Sequence, residues 1–388
     1  MSRLSRRSFI KSSAVFAALG LNGRFASSAV AATKQTTDQA VHFRFDGLPL
    51  TPLEYSQLLV QIGKERGIES DSYLSGGSVA ELESTFAKML GKESAVFVPT
   101  GTLANHLALR VLSEGKSRVL VQSESHIYCD SLDCVETLSH LNMDPLAENR
   151  ATFTLAEVEE AVRKAANGAY PLQVGAISIE CPVRRKDGQV FNYEEMKRIS
   201  QFAHEHDIKL HLDGARLYIA SAYTGIAPAE YAAQFDTVYI SLYKYFNAAT
   251  GAVLAGPKKV IERVAHARKL FGGGLLHAWP YTSVALHYAD GFLERFRKAV
   301  GVAQELFDTL QKKPGFRVEA IPEGTNVCQL RVPTRDGIQY AKNLKAKGIS
   351  ISTPRRNSQE LLLFVNESLN RRSAQDLASA FVDALPHS

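Results

Sequence analysis

The sequence predicts an α/β fold: a large domain on a mostly parallel sheet, then a smaller α+β unit. Three observations carry this. Short runs rich in β-branched residues alternate with helical patterns after residue 75, the signature of strands joined by crossover helices. Chemically distinctive residues, Asp213 and Lys244 above all, stand at or just past the ends of two such runs. From about residue 287 the alternation gives way to a long helical stretch and a different order of elements.

Taken in order, residues 33–75 read as a surface arm with one helix near Pro52–Lys64. "SVAELESTFAKMLGK" is an amphipathic helix ended by Gly91. "SAVFVPTGTLANHLALRVL" is a short apolar run, a turn and a helix. "RVLVQ", "VGAISIE", "IKLHLDG" and "TVYISLYK" are strand candidates, with helices expected at Tyr193–His206 and Ala227–Gln234. A linking helix is expected at Tyr288–Gln311. "FRVEAI", "VCQLRV", a helix at Gly337–Lys347, "ISIST", "LLLFVN" and a helix at Ser373–Leu385 complete the smaller unit. The expected division is 1–32, 33–286 and 287–388.

The chain of 388 residues carries a net charge of +5, and that excess is local. Residues 1–32 hold five basic side chains (Arg3, Arg6, Arg7, Lys11, Arg24) and no acid, leaving 40 basic against 40 acidic residues elsewhere. Nothing in that balance argues for a nucleic-acid surface. The N-terminus, "SRRSFIKSSAVFAALGLNGRFASSAVAA", resembles a twin-arginine export signal: Arg6-Arg7, a short apolar stretch, then small residues around Ala31. Its apolar stretch Ala14–Leu21 falls short of the ~20 residues needed to span a bilayer. The expectations are passage through the twin-arginine machinery, a periplasmic location and no membrane contact in the mature form. Cys129, Cys134, Cys181 and Cys328 match no metal-site spacing and are expected to be free thiols.

Three stations are expected along the carboxyl edge of the sheet, where open α/β sheets bind ligands. Thr100-Gly101-Thr102 lies between a strand and a helix, where free amides favour an anion; a plain helix cap explains the same turn. Asp213 ends "KLHLD" and reads equally as a ligand or a cap. Lys244 follows 31 residues later, room for one crossover helix between two parallel neighbours. An anion site, a carboxylate and an amine together match the phosphate, ring nitrogen and aldehyde of pyridoxal phosphate. In that reading Asp213 faces the ring nitrogen and Lys244 bonds the aldehyde carbon. Ser241 contacts the phosphate, and the small residues after Lys244, including Gly251, make room for the ring.

"FVPTGTLANHLAL", "SESHIY", "HLDGARLY", "SLYKYFNAATGAVLAG" and "RKLFGGG" resemble the threonine aldolase and β-eliminating lyase family of fold-type-I pyridoxal phosphate enzymes. The resemblance spans residues 41–388 and is strongest from Gly76 to Gly274. It implies phosphate binding by Thr100, Gly101 and Thr102. It further implies stacking and proton transfer by His126, a substrate carboxylate on Arg216, and a homodimer or homotetramer. Departures concern the substrate. "RFDG" (Arg44–Gly47) stands where the aldolases carry R-S-D-T, so the serine is lost. Leu275 and Leu276 follow G-G-G where an arginine is usual, and "ELLLFVN" lacks the arginine of a late strand. Arg355 or Arg356 is the expected substitute for that group. Leu276, Trp279, Tyr281 and one of Leu361–Leu363 are candidates for a drier pocket wall, with packing or a subunit contact as the alternative.

The expected reaction is cleavage of a threonine- or phenylserine-like β-hydroxy-α-amino acid to glycine and an aldehyde. The rivals are β-elimination or racemisation with the same cofactor, and a non-catalytic periplasmic binding protein.

Overall fold

The computed structural model describes residues 40–352 and 359–386. The export segment, Arg355 and Arg356 lie outside the described residues.

β1 (Val41–Phe43) and α1 (Pro52–Arg66) precede α2 (Gly77–Met89). Then come β2 (Ser94–Val98), α3 (Gly101–Leu112) and β3 (Arg118–Gln122). Two short helices, α4 (His126–Cys129) and α5 (Cys134–Ser139), lead to β4 (Asn142–Leu146) and α6 (Leu155–Ala166). β5 (Val174–Glu180), α7 (Tyr193–Glu205) and β6 (Lys209–Asp213) follow, then α8 (Leu217–Thr224), α9 (Pro228–Ala233) and β7 (Thr237–Ser241). β8 (Ala252–Gly256) and α10 (Lys258–Leu270) precede α11 (Trp279–Ala289) and α12 (Phe292–Gln311). The rest is β9 (Arg317–Ala320), β10 (Val327–Arg331), α13 (Gly337–Ala346), β11 (Ile349–Ile351), β12 (Glu360–Phe364) and α14 (Ala374–Asp383).

A seven-stranded sheet runs in the order β2-β8-β7-β6-β5-β3-β4, and β8 alone runs against the direction of the other six. All seven residues of β5 are buried, as a parallel strand covered on both faces requires. β6 and β7 pair in parallel with Asp213 opposite Tyr239, so the ends that lead to Asp213 and Lys244 are neighbours. One hydrophobic core fills the space between the sheet and α2, α7, α8 and α11. A second joins α12 and α14 to the strand pair β1-β11 and the antiparallel sheet β12-β10-β9. The arm thus contributes β1 to the core of the C-terminal elements.

Several elements differ from the sequence reading. The crossover from β6 to β7 carries two helices, α8 and α9, in place of one, and the expected surface arm adds the buried strand β1 to its helix. β8 forms from "AVLAG", whose small residues carry little strand preference; its central place between β2 and β7 buries all five. β4 tolerates Pro145 because it is an edge strand. The expected helix Tyr288–Gln311 is two helices, broken where Asp290 turns extended and Gly291 takes a φ of 62°. The four cysteines are free thiols, with Cys181 and Cys328 buried.

Candidate active site

Asp213 ends β6 with its side chain buried and both oxygens engaged. Oδ2 accepts a hydrogen bond from Asn105 Nδ2 at 2.6 Å, and Oδ1 accepts the Ala215 amide at 3.1 Å. Asn105 lies on α3, one turn in from Thr100–Thr102, so the first two stations are joined directly. Asn105 Oδ1 is 3.0 Å from His211 Nε2, and His211 Nδ1 is 2.9 Å from Thr237 Oγ1. Burial pushes the His211 imidazole down to about 4, so the ring is neutral. Because Asn105 offers its oxygen, Nε2 carries the proton and Nδ1 accepts from the threonine. This relay fixes which way the amide of Asn105 faces Asp213.

Lys244 stands three residues past the end of β7. Burial lowers its pKa to about 8, with Arg216 pushing the same way and Asp213, Asp46 and Glu180 opposing. An amine near 8 is partly neutral at pH 7, the form that attacks a carbonyl. Arg216 is anchored by Nε, which donates to Asp46 Oδ2 at 2.8 Å. Asp46 is itself buried, and its Oδ1 accepts from Asn326 Nδ2 at 3.2 Å. The terminal nitrogens of Arg216 make no hydrogen bond among the described residues, leaving its planar fork available to an anion. The arm also clasps the lysine loop: the Leu48 amide donates to Asn247 Oδ1 at 2.7 Å.

His126 opens α4, and its amide donates to Glu180 Oε2 at 2.6 Å. Glu180 is buried opposite Asp213 in the sheet register. Its Oε1 accepts the Arg184 amide at 2.9 Å, and burial together with Asp213 raises its pKa. Burial lowers the His126 pKa, with Lys244 and Arg184 adding to the effect and Asp213 and Asp130 opposing it, so the neutral, proton-accepting ring is favoured.

At the first station Thr100 is the N-cap of α3, its hydroxyl accepting the Leu103 amide. The amides of Gly101 and Thr102 stand in the first turn, where no intrahelical carbonyl reaches them. A Cβ on Gly101 would lie 2.0 Å from the Tyr239 hydroxyl, so the glycine is required by that tyrosine. Ser241 Oγ is buried and makes no hydrogen bond of standard geometry, with only a weak approach from the Tyr239 hydroxyl. The reading of Gly251 needs correction. It has a φ of 113°, and a Cβ there would meet the Phe97 ring at 2.6 Å. This glycine serves the turn into β8 and the packing of β2, rather than space for a cofactor.

A cavity of about 610 Å³ opens beside Lys244. Arg216, Arg184, Arg44 and Asp46 line it with Phe45, Tyr243 and Phe364. The aromatic wall is made by residues other than those of the pocket-wall reading, and the packing reading holds for Tyr281. Leu276 is exposed, with its carbonyl accepting the Tyr73 amide at 2.8 Å, and Tyr281 packs against the main core. Trp279 sits at the start of α11, where Asp71 caps its amide at 2.9 Å. Leu361 and Leu363 point into the second core; β12 offers Phe364 to the cavity instead. Sequence reasoning missed Asp46, Asn105, Glu180 and Arg184. Asp46 and Arg184 lay in stretches with visible charge, "RFDG" and "CPVRRKDG", but their partners are far away in the chain.

A family model described as beta-eliminating lyase matches residues 63–331. The low-specificity L-threonine aldolase of Candida albicans is 31% identical over 271 residues, 68% of this chain and 71% of the relative. The solved structure of a proposed L-allo-threonine aldolase from Listeria monocytogenes is 26% identical, with a TM-score of 0.73, covering 90% of this chain and 98% of that one. A structure of serine palmitoyltransferase with pyridoxal phosphate, 14% identical, shares the fold at a TM-score of 0.63 and covers 89% of this chain and 87% of that one.

Proposed function

Because the chain belongs to the beta-eliminating lyase family, we propose that it is a pyridoxal-phosphate-dependent lyase that cleaves a β-hydroxy-α-amino acid to glycine and an aldehyde. The observation that carries this is Lys244, an amine lowered to about 8, lining one cavity with the fork of Arg216. Buried Asp213 ends the neighbouring strand.

The residues present fit the cofactor. The first-turn amides of α3 and the unsatisfied Ser241 hydroxyl suit a phosphate. Asp213 suits a ring nitrogen, and Lys244 suits the aldehyde carbon. When bound, the group withdraws electrons from the substrate Cα. The protein supplies the rest. Arg216, held by Asp46, binds the α-carboxylate and so sets which bond at Cα is aligned for cleavage. His126, neutral and beside the site, takes the proton of the β-hydroxyl. Phe45, Phe364 and Tyr243 give the β-substituent an apolar wall, which suits threonine- and phenylserine-like side chains. Analysis of products from both amino acids tests the reading. Glycine with an equal amount of aldehyde supports it; a keto acid with ammonia, or the opposite enantiomer, refutes it.

Phe45 and Tyr243 are both about half exposed beside the cavity, which favours a second copy of the chain covering them. A homodimer or larger homo-oligomer is therefore part of the proposal, as is export to the periplasm on the strength of Arg6-Arg7. Replacing both arginines by lysine should retain the full-length protein in the cytoplasm; undiminished periplasmic protein would refute that route.

A further inference from the structure

Arg184 begins a single 3₁₀ turn, Arg184–Lys186, four residues past the end of β5. It is held at two points. Its amide donates to buried Glu180 at 2.9 Å, and its Nη2 donates to Asp130 Oδ2 at 2.5 Å. Nε and Nη1 make no hydrogen bond among the described residues. The side chain lines the same cavity as Lys244 and Arg216. The cationic groups there are Arg44, Arg184, Arg216 and Lys244. Among the described residues lining it, the single carboxylate, Asp46, is already bonded to Arg216 and Asn326. The cavity thus carries a surplus of positive charge that an anionic ligand would balance.

A substrate carboxylate has two oxygens and accepts up to about four hydrogen bonds. Arg216 has committed Nε to Asp46, so its two terminal nitrogens supply at most part of that demand. β12 brings the cavity an aromatic ring and no charge. Among the described residues lining the cavity, two arginines remain. Arg44 is exposed, with its guanidinium 5.3 Å from the Phe45 ring centroid and no ion pair among the described residues. Ordering it on a ligand would cost side-chain entropy. Arg184 is already fixed by Glu180 and Asp130, so little further ordering is needed. The geometry points to Arg184 as a second ligand for the substrate's α-carboxylate, working beside Arg216. The inference rests on the reading that this site binds an amino acid, and it holds whichever bond at Cα is broken.

The test compares holoenzyme binding of glycine with that of methylamine, which has the amine and lacks the carboxylate, by titration calorimetry. Arg184→Gln should raise the glycine dissociation constant at least about tenfold. This is the low end for a charge-assisted hydrogen bond, chosen because the side chain is 47% exposed. Methylamine binding should change less than about twofold, since no carboxylate is involved. KM for the lyase substrate should rise by more than kcat falls, and Arg184→Lys should recover part of the glycine affinity. Asp130→Asn keeps the guanidinium and loosens its anchor, so it should weaken glycine by a smaller factor with methylamine unaffected. Equal weakening of glycine and methylamine, or wild-type glycine affinity in Arg184→Gln or Asp130→Asn, would overturn the assignment. Failure of the lyase reading would appear in the products and leave the glycine-to-methylamine comparison intact.

Discussion

Asp46→Asn is the perturbation that exposes how the site is held. The wild-type carboxylate accepts from Arg216 at 2.8 Å and from Asn326 at 3.2 Å, and it favours the charged form of Lys244. An asparagine keeps the shape and loses the charge. A charge-assisted hydrogen bond contributes about 1.5–3 kcal/mol, so a poorly anchored Arg216 should raise KM for the amino acid about 10- to 100-fold. A second effect follows from electrostatics. Lys244 already stands at about 8 instead of 10.5, which lifts its neutral fraction at pH 7 from about three in ten thousand to about a tenth. Removing a nearby negative charge disfavours the ammonium further, so the pKa falls again. Uptake of pyridoxal phosphate by the apoenzyme, followed by absorbance across pH, should show a midpoint near 8 in the wild type and a lower one in the variant. A KM within about twofold of wild type, with an unmoved midpoint, would refute the view that Asp46 anchors Arg216 and tunes Lys244.

Asp213→Asn should leave a folded protein that still binds the cofactor and turns over at least about a hundredfold more slowly, since a neutral amide holds a ring-nitrogen proton poorly. Rates within threefold of wild type would remove Asp213 from the reaction. Gly251→Ala should destabilise the fold by at least about 1–3 kcal/mol through backbone strain, with displacement of Phe97 added. A melting temperature equal to wild type would show that the turn into β8 is slack.

What the sequence revealed depended on how local the signal was. β5 and β7 were readable because their β-branched runs sit between helices of ordinary pattern. β8 was hidden because alanine and glycine carry no strand signal, and only the neighbouring β2 and β7 make it a strand. Asp213 and Lys244 stood out because the 31-residue spacing fits a crossover between two parallel strand ends, which in the structure carries two short helices, α8 and α9. Asp46, Asn105 and Glu180 act through partners on other elements, more than 100 residues away for Asp46–Arg216 and Asn105–Asp213, and no local pattern announces such pairings. Gly251 invited a cofactor explanation, whereas Phe97 imposes it, and Tyr239 adds a steric demand at Gly101 beside the anion-binding role expected of its amide.

The central claim is that Lys244 holds the cofactor in the cavity it shares with Arg216. The direct measurement is borohydride reduction of the holoenzyme, followed by peptide mapping with mass spectrometry. The account predicts a single phosphopyridoxyl-labelled residue, Lys244, and no label after Lys244→Ala. Label on another lysine, or covalent cofactor retained in the variant, would contradict it.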